Sequence, residues 1–439
     1  MSKVVKFGGS SLASAEQFKK VGNIIRADKE RKYVVPSAPG KRFSDDTKVT
    51  DMLYACYDLA DQGKSFKAEL DAIKARYQEI IDGLQLDLDL VDEFKTIEKN
   101  FKAKAGSNYA ASRGEYLNGI IMANYLGYDF IDAATVIFFD ENGEFDAAKT
   151  NEVLRARLAE SKEAVVPGFY GAMPDGTVKT FSRGGSDITG SIVAKAAKAD
   201  VYENWTDVSG FLIADPRIID HPEAIETITY RELRELAYMG ATVLHEDAIF
   251  PVRKEGIPIN IRNTNAPEDK GTLIVEDTCR KPRFTITGIA GKKDFASITI
   301  EKAMMNSEVG FCRKVLEVFE NNHISIEHMP SGIDTMTIFV HRDEFEEKEQ
   351  DVIAGIHRAV EPDFLELESD LALIAVVGRG MRATRGTSGR IFAALAHANV
   401  NVKMIDQGSS ELNIIIGVRS HDFDAAINAI YDIFVKTMI

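Results

Sequence analysis

The sequence predicts an α/β protein in which one large domain, built on a mostly parallel sheet, precedes two small ferredoxin-like domains. The first observation is length: 439 residues, at roughly 150 residues per domain, indicate about three folding units. The second is the alternation of strand and helix patterns over about the first 280 residues, typical of a parallel sheet covered on both faces. The third is a β-α-β-β-α-β order that begins twice in the rest of the chain.

The chain opens with a strand, a turn and a helix. Residues 3–7 are predicted to form a short strand, a glycine pair follows it, and Ser14 is placed to cap a helix with apolar residues at helical spacing. A second strand is predicted at 33–37, and a polar loop at 40–47 follows it. This order is the start of a parallel α/β sheet.

Amphipathic helices come next, and further strands follow them. Apolar residues at helical spacing predict helices at 66–84 and 94–101, to which we assign a structural role. Strands that alternate with helices are predicted at 135–139, 164–167, 178–181 and 201–205.

The pattern changes near Lys281-Pro282, where two copies of a smaller unit begin. The first copy has its elements at 297–301, 309–321, 324–328, 335–341, 346–360 and 364–367. The second copy has its elements at 371–377, 386–398, 400–405, 412–418 and 423–434. The second copy therefore stops one strand short of the first.

A candidate for the missing strand lies just before the first copy, at 285–290. An unfilled sheet position would leave backbone groups unsatisfied and an edge exposed. We therefore predict that this strand completes the second copy, so that the first copy is nested inside the second. The predicted domains are 1–280 for the large domain, 297–368 for the first small domain, and 284–291 with 370–439 for the second.

Charge and cysteine content narrow the classes of function. The chain has 68 acidic and 53 basic residues and a net charge of −15, which disfavours nucleic acid and membrane surfaces as partners and favours small molecules. The isolated Cys56, Cys279 and Cys312 argue against a disulfide scaffold and a structural zinc site. No apolar run is long enough for a signal peptide or a membrane helix, so we expect a cytoplasmic protein.

Two glycine pairs lie between a strand and a helix. Lys6 ends the first strand and is followed by Gly8, Gly9 and Ser10, where backbone N–H groups at a helix start can approach a phosphate. Alone, this pair is more often a plain turn. The sequence Arg183-Gly184-Gly185-Ser186-Asp187 repeats the arrangement, and its arginine and aspartate suit a carboxylate and an ammonium group. Together the pairs predict a cradle for a nucleotide and a charged substrate.

Three further motifs lie near predicted strand or helix ends. Gly114-Glu115 opens a helix, Thr206-Asp207 ends a strand, and Asp215-Pro216-Arg217 follows shortly after. Open α/β sheets bind ligands in the crevice at strand ends. Each motif also has a structural explanation, since Glu115 favours the helix dipole and Asp207 and Pro216 form turns.

These motifs, taken together, resemble those of the aspartokinases. The order that carries the resemblance is Lys6 to Ser11, Ser37, Thr50, Gly114-Glu115, Arg183 to Asp187, Thr206-Asp207, Asp215-Pro216-Arg217, Met239-Gly240-Ala241, Val243-Leu244-His245, Gly271-Thr272-Leu273 and Gln407 to Ile414. The resemblance implies an amino acid kinase fold of the carbamate kinase type, a three-layer α/β/α domain, followed by two ACT domains. It covers almost the whole chain.

The resemblance also implies the reaction and the roles of the residues. ATP would phosphorylate the side-chain carboxylate of L-aspartate, with Mg²⁺ carried on the nucleotide and no metal ligands from the protein. Lys6 and Asp187 would be catalytic, and the nucleotide would contact Lys6, Gly8, Gly9, Ser10, Gly184, Gly185, Thr206, Asp207, Asp215 and Arg217. Aspartate would contact Ser37, Thr50, Glu115, Arg183 and Asp187. Two departures stand out: Leu212 replaces a tyrosine common near the adenine, and His245-Glu246 replaces His-Pro.

Three other functions agree less well with the sequence. The sequence Gly378-Arg379-Gly380-Met381-Arg382-Ala383 imitates a dinucleotide fingerprint, but too few residues follow it for a doubly wound sheet. An inactive amino acid sensor would be expected to lack Lys6, Glu115, Arg183 or Asp187, but all four residues are present. A kinase of another acceptor, such as glutamate or carbamate, is disfavoured by Glu115 and the ACT pair. The end of the chain at Ile439 predicts no fused homoserine dehydrogenase.

The resemblance further implies regulation by an amino acid. The residues that fall where lysine-sensitive relatives bind effector are Met305, Ser307, Gly310, Phe311, Ile326 and Glu327. However, Ser331-Gly332-Ile333 replaces their usual Thr-Ser-Glu, and residues 329–334 are more similar to enzymes that respond to lysine with threonine. We expect lysine, threonine or both as effectors, and a homodimer through the ACT domains or a tetramer.

Overall fold

The chain folds into two compact units. The computed structural model describes residues 2–182, 184–241, 244, 249–278, 280 and 282–437. The first unit comprises Met1–Phe211, Ala224–Tyr230 and Val243–Thr278, and the second comprises Leu212–Glu223, Arg231–Thr242 and Cys279–Ile439. The sequence placed all of 1–280 in one domain, but segments 212–223 and 231–242 group with the C-terminal unit.

Strands and helices alternate along the first unit, and the second unit contains the two longest strands, of 14 residues each. The strands are β1 Lys3–Phe7, β2 Arg31–Pro36, β3 Asp129–Phe130, β4 Ala164–Val165, β5 Tyr170–Ala172, β6 Val178–Thr180, β7 Val201–Thr206, β8 Thr227–Thr229, β9 Ile259–Asn263, β10 Thr272–Val275, β11 Gly288–Glu301, β12 Ile326–His328, β13 Thr335–His341, β14 Phe364–Val377, β15 Met404–Asp406 and β16 Asn413–Arg419. The α-helices are α1 Ala15–Arg26, α2 Val49–Asp61, α3 Lys67–Leu84, α4 Val91–Lys102, α5 Ser107–Leu126, α6 Ala147–Ala159, α7 Gly185–Ala197, α8 Tyr230–Tyr238, α9 Phe250–Arg253, α10 Phe311–Asn321, α11 Arg342–Phe345, α12 Glu349–Val360, α13 Thr387–His397 and α14 Phe423–Tyr431. Shorter helical turns include Gly9–Leu12, Ala133–Thr135 and Met305–Ser307.

The first unit is built on an eight-stranded sheet with the order β3-β4-β2-β1-β7-β9-β10-β8. Its neighbouring strands are parallel except for β9 and β10, which are antiparallel. The mostly parallel sheet predicted from the sequence is therefore confirmed. At its start Ser14 caps α1 as predicted, because its hydroxyl accepts a hydrogen bond from the Gln17 N–H.

Helices cover both faces of this sheet. Val5, Phe7 and Trp205 point to one face and belong to a buried core shared with α1 to α5. On the opposite face, the Tyr202 hydroxyl donates to the Asp187 carbonyl of α7 at 3.1 Å. The strand alternation thus places Lys6 on the face of β1 opposite to Val5 and Phe7, towards α7.

Two predicted strands differ from the structure. The strand expected at 135–139 is wrong: Ala133–Thr135 is a 3₁₀ turn, and Phe138 and Phe139 make only isolated bridges. The Asp132 carboxylate accepts a hydrogen bond from the Ala134 N–H and so favours a turn over an extended strand. The strand near 178–181 is β6, which pairs with β5 in a hairpin outside the main sheet.

The second unit contains a six-stranded sheet with the order β12-β13-β11-β14-β16-β15. Residues 295–301 of β11 pair with β13, whereas Gly288 to Lys292 of the same strand pair with Leu373 to Val377 of β14. That part of β14 also pairs with β16. The position left open in the second copy is thus occupied by 288–292, somewhat later than the predicted 285–290. The domain boundaries themselves stay a prediction.

Within the described part of the chain, no helix is long and apolar enough to cross a membrane.

Candidate active site

The carboxyl ends of three parallel strands meet at one edge of the first sheet. Phe7 at the end of β1 lies opposite Pro36 of β2 and Trp205 of β7. Two backbone hydrogen bonds continue this pairing beyond the strands: Gly8 N–H donates to the Trp205 carbonyl at 3.0 Å, and Ser37 N–H donates to the Phe7 carbonyl at 3.1 Å. Parallel pairing therefore brings together three motifs that are far apart in the sequence.

Lys6 lies at this edge and forms a buried ion pair. Its side-chain Nζ is 2.6 Å from Oδ1 of Asp187 in the first turn of α7. Asn204 on β7 donates from Nδ2 to the same Asp187 oxygen at 2.9 Å, and its own Oδ1 is 3.5 Å from the Lys6 ammonium. Asn204 was missed from the sequence, because its neighbour Glu203 is also polar and buried and nothing local distinguishes the residue that reaches Lys6. Asp187 and Asn204 therefore hold the Lys6 ammonium at the strand ends.

The turn after β1 has two backbone donors for a phosphate. The Gly8 N–H is already donated to Trp205, and the Ser11 N–H is donated to the Gly8 carbonyl. Gly9 and Ser10 are therefore the candidate donors, and the exposed side chain of Ser10 adds a hydroxyl. The Ser11 hydroxyl and the Thr264 hydroxyl are 2.8 Å apart, which anchors the turn to the chain after β9.

Glu115 is a buried carboxyl inside helix α5, which begins at Ser107, so the prediction that Gly114-Glu115 opens the helix is wrong. Burial raises its pKa to about 8, and this effect outweighs the backbone N–H of Ala38 and the positive charges of Arg113 and Lys6. Its Oε2 has no hydrogen-bond partner among the described residues. A buried carboxyl with an unsatisfied oxygen is suited to bind an ammonium group, which would lower that pKa again.

Ser37 and Thr50 lie close to the same helix. Asn118 of α5 donates from Nδ2 to the Ser37 carbonyl at 2.6 Å. The helix approaches closely because residue 114 is glycine: a Cβ there would lie 2.7 Å from Ala38 Cβ and 3.9 Å from Thr50 Oγ1. The predicted acceptor residues Ser37, Thr50 and Glu115 are thus brought together around α5.

Other predicted residues are placed differently. Arg183, His245 and Glu246 lie outside the described residues. Gly184 and Gly185 form the start of α7, and the Thr206 hydroxyl donates to Asp207 Oδ1 at 3.3 Å. Asp215 and Arg217, together with Leu212, belong to the second unit, where the carboxylate and guanidinium pair with each other and the Arg217 side chain is 87% exposed. Their contact with a nucleotide stays a prediction.

Comparisons with known proteins identify the family. Residues 1–263 match the amino acid kinase family, and residues 374–434 match an ACT domain. Aspartokinase 3 of Bacillus subtilis is 40% identical over an alignment that covers 98% of this chain and 98% of that protein. The chain belongs to the aspartokinase family.

Solved structures agree with this assignment. The crystal structure of Clostridium acetobutylicum aspartate kinase, an allosteric enzyme, is 54% identical, covers 98% of this chain and 100% of its own, and superposes with a TM-score of 0.93. Escherichia coli aspartokinase III in complex with aspartate and ADP is 23% identical, covers 99% of each chain and has a TM-score of 0.71, a likeness of fold alone. The predicted amino acid kinase and ACT folds of this aspartokinase are confirmed.

The predicted effector residues lie in the first small domain, predicted at 297–368. Met305 and Phe311 are buried in its apolar core, and the partly buried Ile326 packs against that core. Ser307 ends a 3₁₀ turn, Gly310 precedes α10, and the Glu327 side chain on β12 is 6% exposed, with Oε1 3.6 Å from His341 Nε2. In this aspartokinase the Met305 and Phe311 side chains therefore serve packing, and effector contacts stay a prediction.

The dinucleotide-like glycine motif has a different role. The Arg379 Nη1 lies 2.9 Å from the fully buried Glu232 carboxylate of α8, and the Arg379 N–H donates to the same side chain at 2.8 Å. Thr287 Oγ1 also donates to Glu232 at 2.6 Å. These contacts lie within the second unit of the aspartokinase. The backbone N–H of Arg379 is donated to a protein carboxylate, whereas a dinucleotide site would need that N–H to bind a phosphate.

Proposed function

We propose that this aspartokinase transfers the γ-phosphoryl group of ATP to the β-carboxylate of L-aspartate, giving 4-phospho-L-aspartate and ADP. The observation that carries the proposal is the Lys6–Asp187 pair, with its 2.6 Å separation, beside the phosphate turn Gly9–Leu12. A buried cation next to backbone donors suits the negative charge that spreads over a transferring phosphoryl group.

The phosphoryl transfer needs no general base. A side-chain carboxylate with a pKa near 3.9 is already ionised at neutral pH and acts as the nucleophile. One of its oxygens forms a bond to the γ-phosphorus while the bond to the β-γ bridging oxygen breaks, and ADP leaves with that electron pair. Lys6 neutralises charge on the phosphoryl oxygens, and Asp187 and Asn204 hold its ammonium in place. Positioning and charge neutralisation therefore account for the chemistry.

Aspartate would bind across α5 and the start of α7. Glu115 would pair with the α-ammonium group, which supplies the partner that its Oε2 lacks among the described residues. Arg183 would bind a carboxylate through its planar guanidinium. Ser37 and Thr50, which lie close to α5, would add polar contacts to the same substrate.

Mg²⁺ would be held mainly by the nucleotide. The carboxylate beside Lys6 is Asp187, which is already ion-paired, and the described residues include no group of three potential metal ligands. This donor set fits an ion that arrives on the phosphates. When bound, Mg²⁺ neutralises charge on the β- and γ-phosphoryl oxygens.

The product of the proposed reaction is an acyl phosphate. We place this reaction at the first step in the biosynthesis of lysine, threonine and methionine. An enzyme at such a branch is a natural target of end-product inhibition, and its ACT repeats would bind lysine, threonine or both. A homodimer through the ACT domains, or a tetramer, would form the effector site.

The assay that tests the proposed reaction uses the purified full chain with ATP and Mg²⁺. Hydroxylamine traps an acyl phosphate as a hydroxamate, so we expect coloured product with L-aspartate and little with L-glutamate, which is one methylene longer. A methylene is worth about 10- to 200-fold in discrimination. Equal turnover with glutamate, or ADP formation without hydroxamate, would contradict the proposed acceptor.

Regulation has its own expected result. Lysine, threonine or the pair is expected to lower aspartate-dependent turnover, because an effector that binds one arrangement of the ACT repeats shifts the equilibrium towards it. The measurement is initial rate against effector concentration at subsaturating aspartate, with leucine as the control amino acid. If neither lysine nor threonine, alone or together, changes the rate, the proposed effectors are wrong. The proposed phosphorylation of aspartate would be unaffected by that result.

A further inference from the structure

Two loops of the candidate active site touch each other backbone to backbone. The phosphate turn Gly9–Leu12 follows β1, and the loop at residues 37–47, here called the acceptor loop, follows β2. Gly40 N–H donates to the Gly9 carbonyl at 2.8 Å. A Cβ on Gly40 would lie 2.6 Å from the Gly9 carbonyl carbon, so only glycine allows this approach. The relative position of the two loops is therefore tightly set.

A buried arginine holds both loops from behind. Arg76 on α3 is 4% exposed. Its Nη2 donates to the Gly40 carbonyl at 2.8 Å and to the Ala13 carbonyl, at the end of the phosphate turn, at 3.2 Å. Its Nη1 lies 2.7 Å from Asp46 Oδ2 at the end of the acceptor loop. One guanidinium thus joins the donor side and the acceptor side of the site.

The acceptor loop is further ordered around Asp46. The Arg42 N–H and Arg42 Nε each donate to Asp46 Oδ2 at 2.9 Å. Burial alone would raise the pKa of Asp46, but these Arg42 hydrogen bonds hold it below its ordinary value. Asp46 therefore stays ionised across the neutral range and keeps its contact with Arg76.

Stability alone does not explain an arginine at this position. A buried guanidinium costs desolvation, and the Nε of Arg76 has no hydrogen-bond partner among the described residues. Helix α3 is already anchored by apolar residues such as Leu70, Ile73 and Tyr77, which lie in the main core. An apolar residue would serve packing as well. What an apolar residue lacks is the planar fork that bonds two carbonyls on two different loops.

We propose that Arg76 is a positioning residue for phosphoryl transfer, which fixes the separation between the phosphate turn and the acceptor loop. This inference rests on the proposed function, since it assumes that the first loop holds ATP and the second borders the acceptor. Phosphoryl transfer requires the attacking oxygen and the phosphorus to be held about 3 to 3.5 Å apart, and a misplacement of about 1 Å costs roughly 10²-fold in rate. Helix α3, which the sequence indicated to be structural, thereby contributes to catalysis.

The test compares Arg76→Met, Arg76→Lys and the control Lys74→Met. Lys74 is on the same helix with a 37% exposed side chain that pairs with Asp71, so its loss removes a cation without touching either loop. We expect Arg76→Met to lower kcat roughly 30- to 100-fold while KM for ATP and for aspartate each change less than about threefold. Arg76→Lys, with a point charge in place of the fork, should be intermediate, and Lys74→Met should match wild type.

A second variant tests the same inference without removing a charge. Gly40→Ala adds one methyl group against the Gly9 backbone and pushes the loops apart by a few tenths of an ångström or more. It should also lower kcat more than it raises either KM, and it remains informative if Arg76→Met does not fold. Variants with kcat within about threefold of wild type, or with both KM values raised as much as kcat falls, would overturn the inference. Wild-type enzyme that forms no hydroxamate with aspartate would overturn the proposed function and the inference with it.

Discussion

Replacing Lys6 with alanine is expected to lower kcat for aspartate phosphorylation by roughly 10²-fold or more, with a smaller change in KM for aspartate. The reason is that the Lys6 ammonium, held 2.6 Å from Asp187, faces charge that develops mainly in the transition state. Steady-state kinetics with the hydroxamate assay measure both constants.

The matched control is Lys3→Ala on the same strand. Lys3 lies three residues earlier and pairs with Asp28 at 2.7 Å, away from the phosphate turn. Its loss should leave kcat near wild type. A Lys6→Ala enzyme with wild-type kcat, or one whose kcat matches that of Lys3→Ala, would remove Lys6 from the catalytic role.

Glu115→Gln is expected to raise KM for aspartate by roughly 30-fold or more, because removing one partner of a buried charge pair costs about 2–5 kcal/mol. In wild type, KM for aspartate should also fall as pH rises towards about 8, since only the ionised carboxylate pairs with the substrate ammonium and its pKa is raised to about 8. KM of the glutamine variant should lack this pH dependence. The exposed Glu152→Gln on α6 is the control.

The same carboxyl should affect the stability of the ligand-free protein. Its folded pKa of about 8 lies above the ordinary 4.5, so the folded state binds the proton more tightly than the unfolded state. The Glu115 contribution is then full below about pH 4.5 and is lost as pH rises through about 8. Glu115→Gln should therefore have a higher Tm than wild type at about pH 8.5, and a smaller difference at about pH 5. Parallel Tm curves for the two proteins would contradict the raised pKa.

The sequence predicts those parts of the site that follow from strand ends. Lys6, Ser37 and Thr206 each lie at or directly after the end of a short strand, and parallel strands place their carboxyl ends at one edge. The helix start at Gly185 and the polar side chain at 187 could also be placed, because glycine and an acidic residue are typical of a helix N-terminus.

The partners of these residues could not be predicted from local pattern. Asn204 contacts Lys6 only because β7 pairs with β1 across nearly 200 residues of sequence, and no local signal fixes that pairing. Arg76 lies on the buried side of the amphipathic helix α3. From the sequence alone, a buried arginine at such a position cannot be distinguished from one whose charged end extends to solvent. The grouping of 212–223 and 231–242 with the ACT repeats likewise depends on packing between distant segments.

The two long strands of the second unit also set the order in which that unit can assemble. The strands of the first repeat, from 295 to 371, lie in one continuous stretch of chain, so that repeat can close as soon as this stretch has been made. The second repeat needs residues 288–292 from before this stretch and β14 to β16 from after it. During synthesis its sheet cannot close until about 130 residues after β11 begins have left the ribosome, which is the kind of non-local pairing that folds slowly. Until β14 has emerged, about 90 residues after β11 begins, residues 288–292 lack their partner strand and expose a backbone edge on which a chaperone or a second nascent chain can act.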